Sequence, residues 1–417
     1  MHSPETLVEP RPLKVVLLNW RDTGHPEGGG SERYVENVAA GLAAAGHEVT
    51  FFCAAYPGAP KVERRDGYRI VRRGGKFSVY AHAVRMLASG ALGRPDVVVD
   101  VQNGIPFWSR LAVRCPVVVL VHHVHREQWG VVYGPASARL GWWLESWLAP
   151  RVYRRSRYVT VSDITKTELT ALGVGPERVD VVHNGTAPAP ATTTQRAGSP
   201  RICVLGRLVP HKRVEHALRV AARLRPSRPG LRVSVIGDGW WSRQLTDEAK
   251  RLGVDDITDF LGFVDEKAKH EELARSWLML APSVKEGWGL TVVEAAQHEV
   301  PTIGYRSAGG LAESIVDGTT GLLADDLDGL TAATDELLSD EVRRRALGRA
   351  AAARAATFTW EQTVRSWDAL LRRTVAEKSA EHSARAAAMA TAATAGEPLD
   401  PHRVPVPAHG GLFFRQS

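Results

Sequence analysis

Two glutamates are spaced so that they could contact one extended ligand at two points. Glu286 and Glu294 lie in the segment EGWGLTVVEAAQ with seven residues between them. The pattern predicts a helix from about Leu290, so Glu286 lies in the preceding turn and Glu294 about one turn inside the helix. Free amides at a helix start attract a phosphate, and Gly287 and Gly289 would let a ligand approach the backbone. Taken alone, the pair is equally compatible with a charged turn and an ordinary surface glutamate.

Two cations could bind the phosphates of such a ligand. Arg207 and Lys212 lie in GRLVPHK, directly after an apolar run that is typical of a strand. Arginine can bind two phosphate oxygens at once and lysine supplies a point charge, so the pair suits a diphosphate. The alternative is two unrelated surface cations, which are common in an arginine-rich chain.

A glycine-rich loop, GGGSER over residues 28–33, opens the first predicted helix. It resembles a phosphate-binding loop but matches neither the G-x-G-x-x-G fingerprint nor a Walker loop. A nucleotide-dependent dehydrogenase is therefore disfavoured, and a plain turn remains the alternative.

Three histidines follow another apolar run, in VHHVHREQW. Alternate residues of a strand share a face, so His123 and His125 could together ligate a metal. No cysteine or carboxylate nearby completes a ligand set, so we favour a polar strand end, with His122, that faces a cleft.

The elements that must position these residues alternate between apolar runs and helical patterns. In the first half the runs are KVVLLNW (14–20), VTFFCAA (49–55), DVVVDVQ (96–102), PVVVLVHH (116–123) and RYVTVS (157–162). In the second half they are RICVLG (201–206), LRVSVIGDG (231–239), ITDFLGFV (257–264), WLMLAPS (277–283) and PTIGY (301–305). Near-continuous apolar runs separated by helices indicate parallel strands that are covered on both faces. The sequence therefore predicts an α/β protein with two Rossmann-like, doubly wound domains.

The composition changes along the chain mark the expected domain limits. We expect an N-terminal domain over 1–185, a linker over 186–200 that is rich in Pro, Ala and Thr, and a C-terminal domain over 201–357. A late helix is predicted because apolar residues recur at helical spacing at Trp360, Val364, Trp367 and Leu371. Residues 376–417 are Ala-rich and then Pro-rich, which predicts a disordered tail.

Bulk properties narrow the class of protein. The 417 residues carry a formal charge of +7, which suggests an anionic partner, but the basic residues are scattered and no nucleic-acid motif is present. No apolar run is long enough to span a membrane. The first residues lack a secretory signal, so a cytoplasmic location is expected. Cys53, Cys115 and Cys203 are far apart in apolar runs, which predicts buried reduced thiols.

The segment from Arg139 to Arg157 combines tryptophans with arginines. Leu140, Trp143, Leu144, Trp147 and Leu148 share one helical face, Trp142 falls on the opposite, polar face, and four arginines follow. Trp with clustered Arg suits an anionic membrane interface, which would be the inner face of the plasma membrane. The other interpretation is a core-facing helix with a solvated end, and we favour it because such stripes are usually buried.

Taken in order, these motifs resemble glycosyltransferase family 4, whose members have the two-domain GT-B fold. The match extends from Lys14 to about Thr374 and includes the glycine loop, VSDITKTEL, HNG, GRLVPHK, GDG, LGFV, EGWGLTVVE and AGGLAESIVDGTTGLL. The resemblance implies that the two domains face an interdomain cleft. It also implies that the N-terminal domain binds the acceptor, that the C-terminal domain binds a nucleotide diphosphate sugar, and that the late helix, 358–374, crosses back to the N-terminal domain.

The resemblance assigns roles to individual residues. Glu286 would contact the donor sugar, Glu294 the ribose, and Arg207 with Lys212 the diphosphate. His122 would belong to the catalytic residues together with Glu286, Arg207 and Lys212. Further donor contacts would come from Gly29, Gly30, His123, Gly287, Gly289, Leu290 and Thr291, and main chain near Val264 would hold the base. His122 aligns best with the family's histidine and His123 stands where Asp or Gly is more usual, so both histidines stay candidates.

The activity implied is transfer of a hexose with retention at the anomeric carbon, to a glycan, lipid-linked or small-molecule acceptor. In that account the cations replace a metal, no side chain acts as a covalent nucleophile, and the leaving phosphate can take the acceptor's proton. No cofactor, metal or nucleic acid is expected. The alternatives are another GT-B enzyme, such as an epimerase or a phosphorylase, and a non-catalytic protein that binds nucleotide sugars or an anionic surface.

Overall fold

A computed structural model of the protein describes residues 11–26, 28–132 and 134–394. The first half of the chain forms an eight-stranded sheet of β1 (Lys14–Leu18), β2 (Glu48–Cys53), β3 (Val62–Arg65), β4 (Tyr68–Arg72), β5 (Val97–Val101), β6 (Val117–Val121), β7 (Arg157–Thr160) and β8 (Val179–Val181). Its strand order is β3-β4-β2-β1-β5-β6-β7-β8. The central β1 pairs in parallel with β2 and β5, with Val16 opposite Thr50 and Val98. Every residue of β5 and β6 is buried, which explains their unbroken apolar runs.

Helices cover both faces of this sheet. They are α1 (Gly30–Ala44), α2 (Ser78–Ala88), α3 (Arg126–Val132), α4 (Pro135–Trp143), α5 (Ala149–Val152) and α6 (Asp163–Ala171). A π-helical turn, Leu144–Leu148, joins α4 to α5, and short 3₁₀ turns lie at Ser109–Leu111 and Pro176–Arg178.

The second half forms a six-stranded parallel sheet in the order β11-β10-β9-β12-β13-β14. Its strands are β9 (Arg201–Leu205), β10 (Arg232–Ile236), β11 (Thr258–Gly262), β12 (Leu278–Ala281), β13 (Thr302–Tyr305) and β14 (Gly321–Ala324). The helices are α7 (Val214–Leu224), α8 (Ser242–Arg251), α9 (Glu266–Arg275), α10 (Leu290–Ala296), α11 (Gly310–Ser314), α12 (Leu327–Ser339), α13 (Glu341–Ala355) and α14 (Trp360–Thr394), with 3₁₀ turns at Pro210–Lys212 and Asp255–Ile257. The predicted pair of Rossmann-like α/β sheets is confirmed.

Some strands escaped the sequence analysis, namely β3, β4, β8 and β14. The strand β3 reads VERR and is half exposed at the sheet edge, so it has no apolar run. It forms an antiparallel hairpin with β4 around Asp66 and Gly67, which both adopt positive φ (45° and 83°). An Asp-Gly pair with positive φ at both positions suits a two-residue hairpin turn, and that signal was available in the sequence.

The last helix packs against the first. Trp367 of α14 is fully buried, and its Nε1 donates a hydrogen bond of 2.7 Å to Tyr34 Oη of α1. Any Cβ at Gly41 of α1 would overlap the side chain of Val364, so glycine lets the two helices approach. The helix α14 continues through residue 376 to Thr394, where the sequence analysis expected a disordered tail with at most a transient helix. The rest of the expected tail, 395–417, lies outside the described residues.

The helical stripe between β6 and β7 does not face the core, so the interpretation favoured from the sequence is wrong. Leu140, Trp143 and Trp147 are 58%, 44% and 44% exposed, so this face is turned towards solvent and not towards the core. The opposite side, with Gly141, Glu145 and Ala149, is buried. Trp142, expected on a polar face, packs partly against the core of the N-terminal sheet. The inward face consists of small residues and one glutamate, which a search for apolar stripes does not detect.

The cysteines are free, with Cys53 and Cys203 buried and Cys115 partly buried. None of the helices in the described part of the chain is both long and apolar enough to span a bilayer.

Candidate functional site

The two sheets face each other across a cleft at the carboxyl ends of their central strands. The guanidinium of Arg207, which follows β9, reaches the loop after β1, where an ideal Cβ on Gly29 would lie 2.6 Å from its Nη2. A Cβ on Gly30, the first residue of α1, would lie 3.2 Å from Leu290 Cδ1, the first residue of α10. The N-termini of these two helices therefore meet across the cleft.

A pocket beside this contact contains four of the predicted residues. It is lined by Arg207, Lys212, Glu286 and Thr291, together with Ser283 and apolar residues of β9 and β12. Its charged groups come from the ends of two neighbouring parallel strands, where ligands of open α/β sheets usually bind. The sequence had indicated these residues as two separate motifs, and the structure brings them together.

Glu286 is held from both its main chain and its side chain. Its amide donates to Ala308 O at 3.0 Å and its carbonyl accepts from the amide of Gly310 at 2.9 Å. The carboxylate accepts a hydrogen bond of 2.7 Å from Ser283 Oγ and forms an ion pair with Lys212 Nζ. The candidate sugar-binding and phosphate-binding groups are thus paired with each other in this structure.

The glycine loop is stabilised by Glu32, which the sequence analysis did not single out. Glu32 is 1% exposed and accepts hydrogen bonds from the amide of Gly29 (2.8 Å) and from Ser31 Oγ (2.9 Å). A glutamate at the third helical position that binds the cap amide forms half of a capping box. The spacing of Gly29 and Glu32 was a usable signal in the sequence.

The ring of His122 lies beneath this loop, 6% exposed and edge-on to Tyr34 with ring centroids 5.3 Å apart. Burial lowers the pKa of His122 to about 4, and the charge of nearby Glu32 opposes this only in part. The imidazole is therefore neutral at pH 7. Its Nε2 forms no hydrogen bond with any residue that the structure describes, so it can accept one from, or donate one to, a ligand.

The neighbouring histidines are already engaged. His123 Nε2 lies 3.1 Å from Gln128 Oε1, and its ring packs on that of His125 with centroids 4.2 Å apart. His125 Nδ1 contacts the buried carboxylate of Glu145 at 3.0 Å. Over residues 11–26, 28–132 and 134–394, no three His, Cys, Asp or Glu side chains are grouped as metal ligands.

The glycines of the EGWGL turn are required for packing between protein segments. A Cβ on Gly287 would overlap the carbonyl oxygen of His122 across the cleft, and one on Gly289 would overlap Ser314 Oγ. Trp288 between them is 6% exposed and belongs to the hydrophobic cluster of the N-terminal sheet. The turn therefore joins the two halves of the protein, a reason for glycine that the sequence analysis did not consider.

Glu294 lies apart from the pocket that contains Glu286. Its Oε1 pairs with Lys269 Nζ of α9 at 2.8 Å, and the same ammonium contacts Glu266 at 2.8 Å. Glu266 in turn lies 3.4 Å from Arg33 of α1. A chain of charges thus extends from Glu294 across the cleft to the glycine loop.

The candidate base-binding residue, Val264, lies just after β11. Its side chain is half-buried and packs against the core of the C-terminal sheet, whereas its neighbour Phe263 is 88% exposed. Val264 is not among the residues that line the pocket around Glu286.

Comparisons with known sequences agree with this arrangement. The family profile "Glycosyltransferase Family 4" matches residues 28–189, and "Glycosyl transferases group 1" matches residues 190–354. The two matches adjoin at residues 189 and 190, between the last strand of the first sheet and the first strand of the second. The chain belongs to glycosyltransferase family 4. It is a glycosyltransferase of the hexosyltransferase type, which transfers a sugar from a nucleotide sugar.

Relatives of this glycosyltransferase extend over most of its length. It is 26% identical to glycogen synthase of Mycobacterium tuberculosis over 390 residues, which covers 84% of this chain and 92% of the relative. It is 28% identical to the GDP-mannose-dependent alpha-(1-6)-phosphatidylinositol monomannoside mannosyltransferase of Mycolicibacterium smegmatis. This match covers 78% of this chain and 89% of the relative. The structure of HepE from Anabaena in complex with UDP-glucose matches with a TM-score of 0.68 at 16% identity, covering 88% of this chain and 100% of that one. The GT-B fold is confirmed.

Polar contacts that the sequence did not reveal hold the two halves of the glycosyltransferase together around the site. Lys285, in the same loop as the candidate glutamate, pairs with Glu168 of α6 at 2.7 Å. Glu313 of α11 accepts a hydrogen bond of 3.2 Å from the amide of Ile164 and lies 3.3 Å from His183 Nε2. These pairs join residues that are more than a hundred positions apart in the chain, so no local sequence pattern predicts them.

Proposed function

We propose that the enzyme transfers a hexose from a nucleotide diphosphate sugar with retention at the anomeric carbon and without a metal. The observation that supports this most is the convergence of Arg207, Lys212 and Glu286 on one pocket that opens opposite the glycine loop. Two fixed cations beside a carboxylate suit a diphosphate next to a sugar.

In the proposed reaction, the bond between the anomeric carbon and the diphosphate breaks as negative charge develops on the leaving oxygen. Arg207 and Lys212 stabilise that charge, which is the task of a metal in other transferases. The acceptor oxygen attacks from the face that the phosphate leaves, and its proton passes to a phosphate oxygen. One bond is broken and one formed at the same carbon, with no covalent enzyme intermediate.

Donor binding releases the Lys212 ammonium from Glu286, because the diphosphate replaces the Glu286 carboxylate as the partner of Lys212. The freed carboxylate then accepts a hydrogen bond from a sugar hydroxyl near the reacting carbon. His122 is neutral at pH 7, so it contributes a hydrogen bond to the donor and no charge. Gly29, Gly30 and the turn with Gly287 and Gly289 close the site around the donor, with Leu290 and Thr291 at the start of α10.

We propose that the acceptor, a glycan, a lipid-linked sugar or a small molecule, binds at the carboxyl edge of the N-terminal sheet. Polar groups lie there between the ends of β1 and β5, where Asn103 Nδ2 donates a hydrogen bond of 3.3 Å to Asn19 Oδ1. Trp20, half-buried, follows Asn19 at the same edge, with the Arg21 guanidinium 4.2 Å from the centroid of its ring. The cytoplasmic location expected from the sequence stays a prediction.

Turnover should survive chelation of metals. With an α-linked nucleotide diphosphate sugar in EDTA, we expect undiminished turnover and an α-anomer as the first sugar product in time-resolved ¹H NMR. A screen of UDP-, GDP- and ADP-sugars by thermal shift selects the donor, and water serves as acceptor where no other is known. Loss of activity in EDTA that manganese or magnesium restores, or a β-anomer formed first, would overturn the proposal.

Glu294→Gln should raise the donor KM about 10- to 100-fold with little change in kcat, because a ribose contact stabilises ground and transition states alike. Titration calorimetry with the free nucleoside diphosphate should show the same loss of affinity. Glu266→Gln is the matched control, since Glu266 shares the Lys269 partner of Glu294 without a proposed ribose contact. If both variants lose nucleotide affinity to the same degree, the effect comes from Lys269, and Glu294 does not contact the ribose.

A further inference from the structure

We propose that the exposed face formed by Leu140, Trp143, Trp147 and Arg151, here called the Trp143–Trp147 face, binds the surface of an anionic lipid bilayer. This inference does not depend on the proposed donor chemistry. It rests on the exposure, geometry and charge of a segment that lies between β6 and β7.

The apolar part of the face consists of two stacked tryptophans and a leucine. The indoles of Trp143 and Trp147 stack with ring centroids 5.2 Å apart and an interplanar angle of 19°, and each side chain remains 44% exposed. Leu140, one helical turn before Trp143, is 58% exposed. Exposed tryptophans side by side with a leucine cost free energy in water, and they gain free energy at the boundary between lipid headgroups and acyl chains.

The tryptophans cannot turn inward, because the inner side of the same helical segment is filled. Glu145, 1% exposed, accepts hydrogen bonds from the amide of His125 (3.0 Å) and from Trp129 Nε1 (2.7 Å). A Cβ on Gly141 would overlap the ring of Trp129. The buried network fixes the orientation of the segment, so Trp143 and Trp147 are held in solvent.

The charges on the face suit an anionic surface. Exposed arginines lie in the same segment as the tryptophans, namely Arg139, Arg151, Arg154 and Arg155. None of the four forms an ion pair with any residue that the structure describes, and Arg151 lies over the ring of Trp147 at 4.0 Å. The only acidic residue of the sequence between 134 and 156 is Glu145, which is turned inward. Basic residues beside interfacial tryptophans strengthen binding to anionic lipids.

Other occupants fit the face less well. A second copy of the chain, related by a twofold axis, would bring the arginines of one face against those of the other, and that repulsion has no acidic partner on the segment. A nucleic-acid base would need an open indole face, but the ring of Trp147 is flanked by Trp143 and by the Arg151 guanidinium. A lipid surface needs neither an open ring nor an acidic partner residue.

The test uses the full chain in sedimentation with vesicles of phosphatidylcholine alone or of equal parts phosphatidylcholine and phosphatidylglycerol. We expect binding to the anionic vesicles that is at least about tenfold tighter than to the neutral ones and that weakens at about 0.5 M salt. The double variant Trp143→Ala with Trp147→Ala should bind the anionic vesicles about tenfold or more weakly than the unchanged protein. An unchanged midpoint of thermal unfolding would show that the fold of the variant is intact.

The matched control is Trp240→Ala, which removes a tryptophan that is 68% exposed on the C-terminal half. It should bind anionic vesicles like the unchanged protein. Replacing Arg151, Arg154 and Arg155 by glutamine should abolish the preference for anionic over neutral vesicles. Equal sedimentation with both vesicles, undiminished binding by the double tryptophan variant, or a shift of the double variant from dimer to monomer in light scattering would each overturn the proposal.

Discussion

Replacing Glu286 by glutamine is expected to lower kcat by about 10²- to 10³-fold while the affinity for the nucleoside diphosphate is unchanged or higher. The carboxylate lies beside the pocket that we assign to the diphosphate and the sugar, and positive charge develops on the sugar ring in the transition state. A contact that strengthens with that charge affects turnover more than binding. Removal of the negative charge also frees Lys212, its ion-pair partner, for the phosphates.

The measurement is steady-state kinetics with the donor found by thermal shift, together with calorimetric titration of the nucleoside diphosphate. Glu248→Gln is the control, because Glu248 also pairs with basic residues, Arg219 and Arg251, but lies on α8 outside the cleft. It should be active at the level of the unchanged enzyme. A Glu286→Gln variant that is folded and nearly fully active would show that this carboxylate is not at the reacting sugar.

Arg207→Gln should lower both kcat, by about 10²- to 10³-fold, and the affinity for nucleoside diphosphate, because the guanidinium is proposed to bind the diphosphate before and during its departure. Affinity for the nucleoside monophosphate should change less, since it lacks the second phosphate. Arg207→Lys should recover only part of the activity, because lysine cannot bind two phosphate oxygens in the fork geometry of arginine.

The control for this variant is Arg223→Gln, which removes an exposed arginine of α7 that pairs with Asp328 on the same domain. It should leave both turnover and nucleotide affinity intact. Equal loss of monophosphate and diphosphate affinity in Arg207→Gln would contradict a diphosphate contact and would indicate a general disturbance of the cleft.

The strands and the motifs at their ends could be predicted because each follows from local sequence. Parallel strands that are buried on both faces appear as apolar runs, and their carboxyl ends carry the candidate residues Arg207, His122 and Glu286. The resemblance to a known family then indicated which half of the chain binds the acceptor and which half binds the donor. These signals depend only on residues that are close together in the chain.

Contacts between distant residues could not be predicted in this way. Nothing in the local sequence indicates that Lys212 pairs with Glu286 or that Glu294 pairs with Lys269, since each pair forms only when separate strand ends meet. The reason for Gly287 was also hidden, because the atom that excludes a side chain there is a carbonyl of the other domain.

The helical stripe at Trp143 and Trp147 shows a different limit. Spacing correctly predicted that these residues share a face, but it could not determine whether that face turns inward or outward. The inner side is filled by Gly141, Glu145 and Trp129, and a glutamate that accepts three hydrogen bonds is an unusual core residue. Orientation was decided by this buried network and not by the apolar residues.

The most direct test of the assigned donor site is one experiment in which Glu286→Gln and Glu294→Gln are compared for kcat and for nucleoside diphosphate affinity. The proposed site predicts opposite patterns. Glu286→Gln should lose turnover and keep affinity, whereas Glu294→Gln should lose affinity and keep turnover. If both folded variants retain near-normal kinetics and affinity, or if both lose the same parameter to the same degree, the assignment of these two carboxylates to the sugar and the ribose is contradicted.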